Sequence, residues 1–247
     1  QGAPPPAVAL IASASKLAAF VFLARLLLTS LQTVSEVSGS VFAVLAVVTM
    51  TIGNLGALSQ TNIKRLLGYS SVAQVGYALM ALAGATTASI SGLLFFLTAY
   101  ALTTLAAFSV VTLVSASLES DNLDAYNGLS ARSPVLALAM LMAMLSLTGL
   151  PLLGGFWGKV YLFLGVFSAG QVWLVIIALL NSVLAAFYYV RVVYAMYLRP
   201  ASGSQAVSVE GALGLSLGVS TVAILVMGFV PAPFLAAASS AAASLMR

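Results

Sequence analysis

The chain has 247 residues, of which 62% are hydrophobic and only 6% are charged; an ordinary soluble domain has about 25% charged residues, and a soluble globule built from this chain would expose more apolar surface than water tolerates, which excludes a soluble enzyme. Nine Lys+Arg against five Asp+Glu give a net charge of +4, too few charges to track a phosphate backbone, which excludes a nucleic-acid binder. With neither Cys nor His the chain has no disulfide, no thiolate, no Cys or His metal ligand and no near-neutral proton shuttle, and what remains is an integral membrane protein.

The sequence opens on Gln1-Gly2-Ala3-Pro4-Pro5-Pro6, a loop-like run with no initiating Met and no signal-peptide pattern, and reads as a cut inside a longer protein. Runs of roughly 20 apolar residues, long enough to cross a bilayer, then predict seven spans. They lie at about Ala7–Leu31, Ser40–Leu58, Leu66–Ala85, Ile90–Val114, Val135–Ser168, Val172–Leu198 and Leu213–Val230. Gly39, Gly84, Pro134, Gly170, Pro200, Gly203 and Pro231 mark the turns. A barrel would need short alternating stretches, which are missing, so the expected fold is an all-α integral membrane protein, one transmembrane domain over 1–247.

The fifth span is abnormal. As one straight helix it would be about 50 Å long, against a hydrocarbon core of about 30 Å. Its middle holds Gly149-Leu150-Pro151-Leu152-Leu153-Gly154-Gly155. Proline removes a backbone donor and glycines weaken the helix, so the run reads either as a proline kink or as two half-helices joined by unwound chain. Unwound chain at membrane depth must be satisfied by protein or by water, and in transporters it marks ion or substrate sites.

The charges orient the chain. Lys64, Arg65, Arg132, Arg191 and Arg199 fall on one side with Glu119, Asp121, Asp124 and Glu210; Arg25, Glu36 and Arg247 fall on the other. The side with more Lys and Arg is expected in the cytoplasm. Two lysines, Lys16 and Lys159, are left inside the membrane, each about 14 Å of helix from its segment's end. Lysine at that depth costs at least ~2.5–3.5 kcal/mol and commonly faces a bundle interior or an aqueous path. A structural lysine would need an acid partner, and all five acids lie near segment ends or in loops. A desolvated amine that can become neutral can take and give a proton.

Without histidine, any relay must use hydroxyls, amides and water. Ser13 and Ser15 beside Lys16, Tyr69, Ser70, Ser71, Gln74 and Tyr77 on the third span, and Tyr100 on the fourth are candidates. Each can equally be a helix–helix hydrogen bond. Lys64 reads as a cytoplasmic anchor or as the mouth of a proton path. Tyr188, Tyr189, Tyr194 and Tyr197 with Arg191 and Arg199 read as an interfacial belt. Asp121, Asn122 and Asp124 match no metal loop and read as solvated.

Two long runs resemble the antiporter-like membrane subunits of respiratory complex I. One extends from Gly53-Asn54-Leu55-Gly56 through Lys64-Arg65-Leu66-Leu67-Gly68-Tyr69-Ser70-Ser71, and the other from Met144 through Gly149-Leu150-Pro151-Leu152-Leu153-Gly154-Gly155-Phe156-Trp157-Gly158-Lys159 to Phe163. The opening Gln1-Gly2-Ala3-Pro4 and Ala14-Ser15-Lys16 agree with them, and the wording is nearest the branch called subunit N. The resemblance covers essentially the whole chain. It implies a fourteen-helix fold with two inverted repeats, of which this chain is similar to helices eight to fourteen, the C-terminal half.

By that resemblance Lys16 matches the lysine linking two half-channels, Lys159 the lysine of the broken helix at the exit, and Lys64 the lysine of the motif between two helices. The resemblance further implies proton translocation without redox chemistry in this chain. NAD, FMN, iron–sulfur clusters and quinone would belong to partner subunits in a bacterial inner membrane; the partners would be other membrane subunits and lipid, with no nucleic acid. The family's glutamate and lysine of the inlet half-channel have no counterpart here, and Gln74 stands where some relatives carry histidine. The alternatives are a subunit of a multisubunit cation/proton antiporter or membrane hydrogenase, and a scaffold without conduction.

Overall fold

The computed structural model describes residues 5–29, 35–201, 205–209 and 211–245, without the side chains of residues 5–6, 29 and 35–38. Gln1-Gly2-Ala3-Pro4, Gly203, Glu210 and Arg247, and the side chain of Glu36, lie outside the described set.

The described elements are helical throughout, apart from one antiparallel bridge between Asn62 and Asn122. In chain order they are α1 (Pro5–Leu10), a π-helical turn (Ile11–Ser15), α2 (Lys16–Thr29), α3 (Ser35–Leu58), α4 (Ile63–Gly84) and α5 (Thr87–Leu118). A 3₁₀ turn (Leu123–Tyr126) and the short α6 (Leu129–Arg132) follow, then α7 (Pro134–Thr148), α8 (Gly154–Ser168), α9 (Val172–Leu198), α10 (Gly211–Phe229) and α11 (Ala232–Leu245). Among the described residues six stretches are long and apolar enough to cross a membrane, with α7 and α11 as shorter apolar helices.

The ends follow from local chemistry. Asn62 caps α4, its side chain accepting from the Arg65 backbone N–H at 3.1 Å. Thr86 and Ser89 form a reciprocal capping box at the start of α5. Pro134 opens α7, where a missing N–H costs nothing. Gly149 ends α7 at φ 90°, a left-handed conformation that suits glycine. The fifth predicted span is thus two half-helices, α7 and α8, and not a kink.

Three features differ from the sequence reading. Gly39 is no turn; it lies inside α3, which begins at Ser35. The first span contains a π turn immediately before Lys16, an irregularity often found at functional positions. Pro231 does not close the last span, because α11 resumes one residue later. Among the described residues, apolar helical runs are thus interrupted at α7/α8 and at α10/α11.

The 32-residue α5 runs unbroken through the molecule, with α1, α2, α4, α7, α8, α10 and α11 packed on it, while α3 packs on α4 and α9. Its length, about 48 Å, exceeds what a bilayer requires. Both interrupted helices lean on this rod, which brings the α7/α8 break beside the mid-helix residues of α4 and α5.

Candidate functional site

Lys16 begins α2 on the first turn past the π segment. Its Nζ donates to the Ser71 backbone oxygen at 2.8 Å, to Ser71 Oγ, and to Tyr100 Oη at 3.3 Å. It also lies 5.2 Å from the Tyr100 ring centre.

Lys159 lies in the second turn of α8 and is 6% exposed. Its Nζ donates to the backbone oxygen of Thr148, the last residue of α7, at 3.0 Å and sits 5.3 Å from the Tyr77 ring centre. A carbon on Gly149 would come within 3.1 Å of the Lys159 Cδ, so the left-handed glycine also leaves the stem its passage. The two half-helix dipoles act on this amine in opposite senses: the carbonyl end of α7 favours an ammonium and the amide end of α8 disfavours it. Among the described residues no carboxylate reaches ion-pair distance of either lysine, whereas Lys64 pairs with Asp121 and Arg199 with Asp124.

Beside Lys159 lies a cavity of about 10 Å³ lined by Gln74, Phe96, Tyr100, Thr103, Ser146, Leu147, Gly155 and Lys159. That is space for about one water, with polar partners around it. Tyr100 stands on both sides of the arrangement, holding Lys16 through its hydroxyl and walling the cavity that Lys159 enters. Thr103 Oγ1 and Ser146 Oγ are 3.0 Å apart, and Ser146 Oγ accepts the Gly155 N–H at 3.1 Å, fastening the first turn of α8 across the break to α7. Gln74 Nε2 donates to Tyr189 Oη at 3.3 Å.

The helical segments match the family model described as "NADH:quinone oxidoreductase/Mrp antiporter, TM" over residues 1–185. The chain belongs to this family. Curated relatives include subunit N of NADH-quinone oxidoreductase from Desulforamulus reducens, 40% identical over 246 residues, covering 100% of this chain and 52% of the relative. The corresponding protein of Heliobacterium modesticaldum is 39% identical, covering 99% and 52%. The chain thus spans about half the length of the curated relatives it matches. Among solved structures, respiratory complex I from Thermus thermophilus with bound Aureothin aligns at 36% identity and TM-score 0.71, over 80% of this chain and 45% of that one. The Mrp complex of Dietzia sp. DQ12-45-1b aligns at 21% identity and TM-score 0.88 over 98% and 54%, a likeness of fold.

Of the site residues expected from the sequence, Lys159 lines the cavity, Lys16 reaches it only through Tyr100, and Lys64 lies apart. Lys64, on the first turn of α4, pairs with Asp121 at 2.7 Å. Asp121 also accepts from Ser115 Oγ at 2.6 Å, and its backbone oxygen accepts the Ile63 N–H at 2.9 Å. Burial acts to raise the Asp121 carboxyl, but the hydrogen bonds from Lys64 and Ser115 and the Lys64 charge outweigh it and hold the carboxyl below its usual value. The loop read as solvated is therefore a clamp on the α3–α4 turn.

The relay candidates sort themselves. Ser71, Gln74, Tyr77 and Tyr100 touch a lysine or the cavity, whereas Ser70 bonds Tyr189, Ser13 bonds back to the Ala9 carbonyl, and Ser15 and Tyr69 are exposed. Tyr188 and Tyr189 are not an interfacial belt: both are fully buried. Tyr188 donates to Asn54 Oδ1 at 2.9 Å, and Tyr189 Oη lies 2.5 Å from Ser70 Oγ. Tyr194 and Tyr197 are exposed, as a belt requires. Arg191 points inward to the end of α3, donating to the Leu58 and Gln60 carbonyls at 2.9 and 2.6 Å. Sequence reasoning missed Thr103 and Ser146; the available signal was a hydroxyl within an apolar run facing a Gly-rich break.

Proposed function

We propose that this chain is the proton-conducting C-terminal half of a membrane-arm subunit of a bacterial NADH-quinone oxidoreductase, with Lys16 and Lys159 as its two intramembrane proton carriers. The observation that carries the reading is Tyr100, which contacts Lys16 and walls the one-water cavity reached by Lys159. A proton leaving the Lys16 ammonium passes to the Tyr100 oxygen as the tyrosine hydroxyl proton moves on to the cavity water, and the water hands a proton to a neutral Lys159 amine. Each handover is between groups within hydrogen-bond reach or one water apart. Gln74, Thr103 and Ser146 orient the water.

In this reading the inlet half-channel and a counter-charge for the lysines belong to the rest of the subunit, a division supported by the half-length match to relatives. Electron transfer, with NAD, FMN, iron–sulfur clusters and quinone, belongs to partner subunits, and the chain, having no cysteine, has no thiolate for a cluster. Lys64 serves as an anchor on the cytoplasmic side, clamped by Asp121. A pure scaffold would need no hydroxyl-lined cavity beside a buried lysine. The relatives' name favours the quinone oxidoreductase over an antiporter of the same fold.

The test is Lys159→Ala in the full-length subunit within its assembled complex, reading protons moved per NADH oxidised in sealed vesicles. The ratio is expected to fall while the complex still assembles; an unchanged ratio overturns the assignment.

A further inference from the structure

The two interrupted helices are fastened to each other at their breaks. Trp157 Nε1 donates to the Gly228 backbone oxygen at 2.8 Å. Gly228 is in the last turn of α10, where carbonyls have no intrahelical partner. Val230 N–H takes the Val226 carbonyl at 2.9 Å, and the indole takes that of Gly228. The approach is close: a carbon on Gly228 would lie 2.1 Å from the Leu152 oxygen, and one on Gly154 would lie 3.0 Å from Met227 Cβ. Leu152, the residue met there, has φ 74°, a conformation that a leucine rarely adopts.

Trp157 and Lys159 are two residues apart on α8, about 200° around its axis. One is tied to α10 while the other reaches the opposite way into the cavity, so the indole bond fixes the roll of α8. The Trp157 ring stacks on Tyr161 at 5.6 Å, and Tyr161 meets Phe95 of α5 edge-on at 5.1 Å, which orients the indole.

We infer that Trp157 is a positioning residue for proton transfer: through the Gly228 carbonyl it locks half-helix α8 against the α10/α11 junction and so holds Lys159 in register with Thr148 and the cavity. This rests on the proposed role of Lys159. If α10 and α11 shift about Pro231, the Gly228 carbonyl moves and Lys159 turns with α8, which makes the second break a lever on the first.

The experiment compares Trp157→Phe, Lys159→Ala and the double variant in the full-length subunit and assembled complex, reading protons moved per NADH oxidised. Trp157→Phe keeps an aromatic ring and removes the donor. Losing one hydrogen bond of ordinary strength raises the population of a displaced α8 on the order of fivefold. The ratio is expected to fall toward that of Lys159→Ala, and the double variant to match Lys159→Ala. A wild-type ratio in Trp157→Phe beside a lowered one in Lys159→Ala overturns the positioning role alone. A double variant that falls below Lys159→Ala overturns it too, because a merely structural indole would add its own loss. An unchanged ratio in Lys159→Ala overturns both readings. Should Trp157→Phe fail to assemble, Trp157→His, which keeps a ring N–H, decides: a ratio near wild type supports the inference and the Lys159→Ala ratio overturns it.

Discussion

Lys16 and Lys159 are the same residue type at similar depth, yet their surroundings differ in kind. An ammonium has three donors. Lys16 meets three oxygens, two of Ser71 and one of Tyr100, and is only half-buried. Lys159 is buried, with one carbonyl and one aromatic face. The first amine has an oxygen for each of its three donors, whereas the second has one protein oxygen among the described residues. The difference between the two sites comes from backbone geometry. Lys16 follows a π turn in an otherwise continuous helix, while Lys159 faces the open carbonyl end of a severed one.

Making the second site permanently charged breaks this comparison most directly. Lys159→Arg keeps the charge but cannot release its proton. The proton-transfer step through the subunit should slow by about a hundredfold, the usual scale for losing a positioned acid–base group, read as proton flux in vesicles with the variant complex. A wild-type flux would mean that Lys159 need never be neutral. Next in size is Tyr100→Phe, which keeps the stacking with Phe96 and removes the hydroxyl shared by Lys16 and the cavity. Flux should fall about tenfold, the scale of one hydrogen bond to a charged group, while assembly is unaffected. If Tyr100→Phe conducts normally, the two lysines communicate by another route.

How much of this was legible in the sequence depended on contrast. Lys16, Lys159 and the Gly149–Gly155 run stand out against apolar surroundings, because charge and helix breakers are costly there. Tyr188 and Tyr189 did not, since a helix that is apolar all round displays no face and so gives no sign of which tyrosine turns inward. Thr103 was hidden because a threonine bonded to the carbonyl four residues back, as it is to Ala99, blends into an apolar helix. The proline at 231 signals an end equally well whether or not a helix resumes, and α11 at 14 residues is too short to register as a span. The partner of Lys64 was beyond local reasoning, since Asp121 is brought to it only by the path of α4 and α5.

The break itself can be sharpened by filling it. A carbon on Gly155 would lie 2.0 Å from the Ser146 backbone oxygen, so Gly155→Ala must push α8 away from α7. A cost of about 1–3 kcal/mol is expected, seen as a lower unfolding temperature of the detergent-solubilised protein. Gly218→Ala in α10, with nothing within 4 Å of the added carbon, should be neutral or stabilising by up to about 1 kcal/mol. Equal effects at the two positions would show that the α7–α8 approach is slack, and the contrast between the two lysines would lose its structural cause.

The smallest effect is expected away from both lysines, at the Lys64–Asp121 clamp. The folded Asp121 carboxyl is held below its usual value, so the pair contributes fully above the ordinary aspartate range and loses its contribution only as pH falls through the lowered value. The pair is partly exposed, with side chains 23% and 32% accessible, so its worth is about 1 kcal/mol or less. Asp121→Asn should therefore lower the unfolding temperature slightly at neutral pH and leave the gap to wild type closed in strong acid, where the native carboxyl is also neutral. It should leave proton flux nearly unchanged, because Lys64 does not touch the cavity lined by Tyr100 and Lys159. A large loss of flux in Asp121→Asn with a normal unfolding temperature would move Lys64 from the anchor to the proton path, and the asymmetry between two lysines would become a sequence of three.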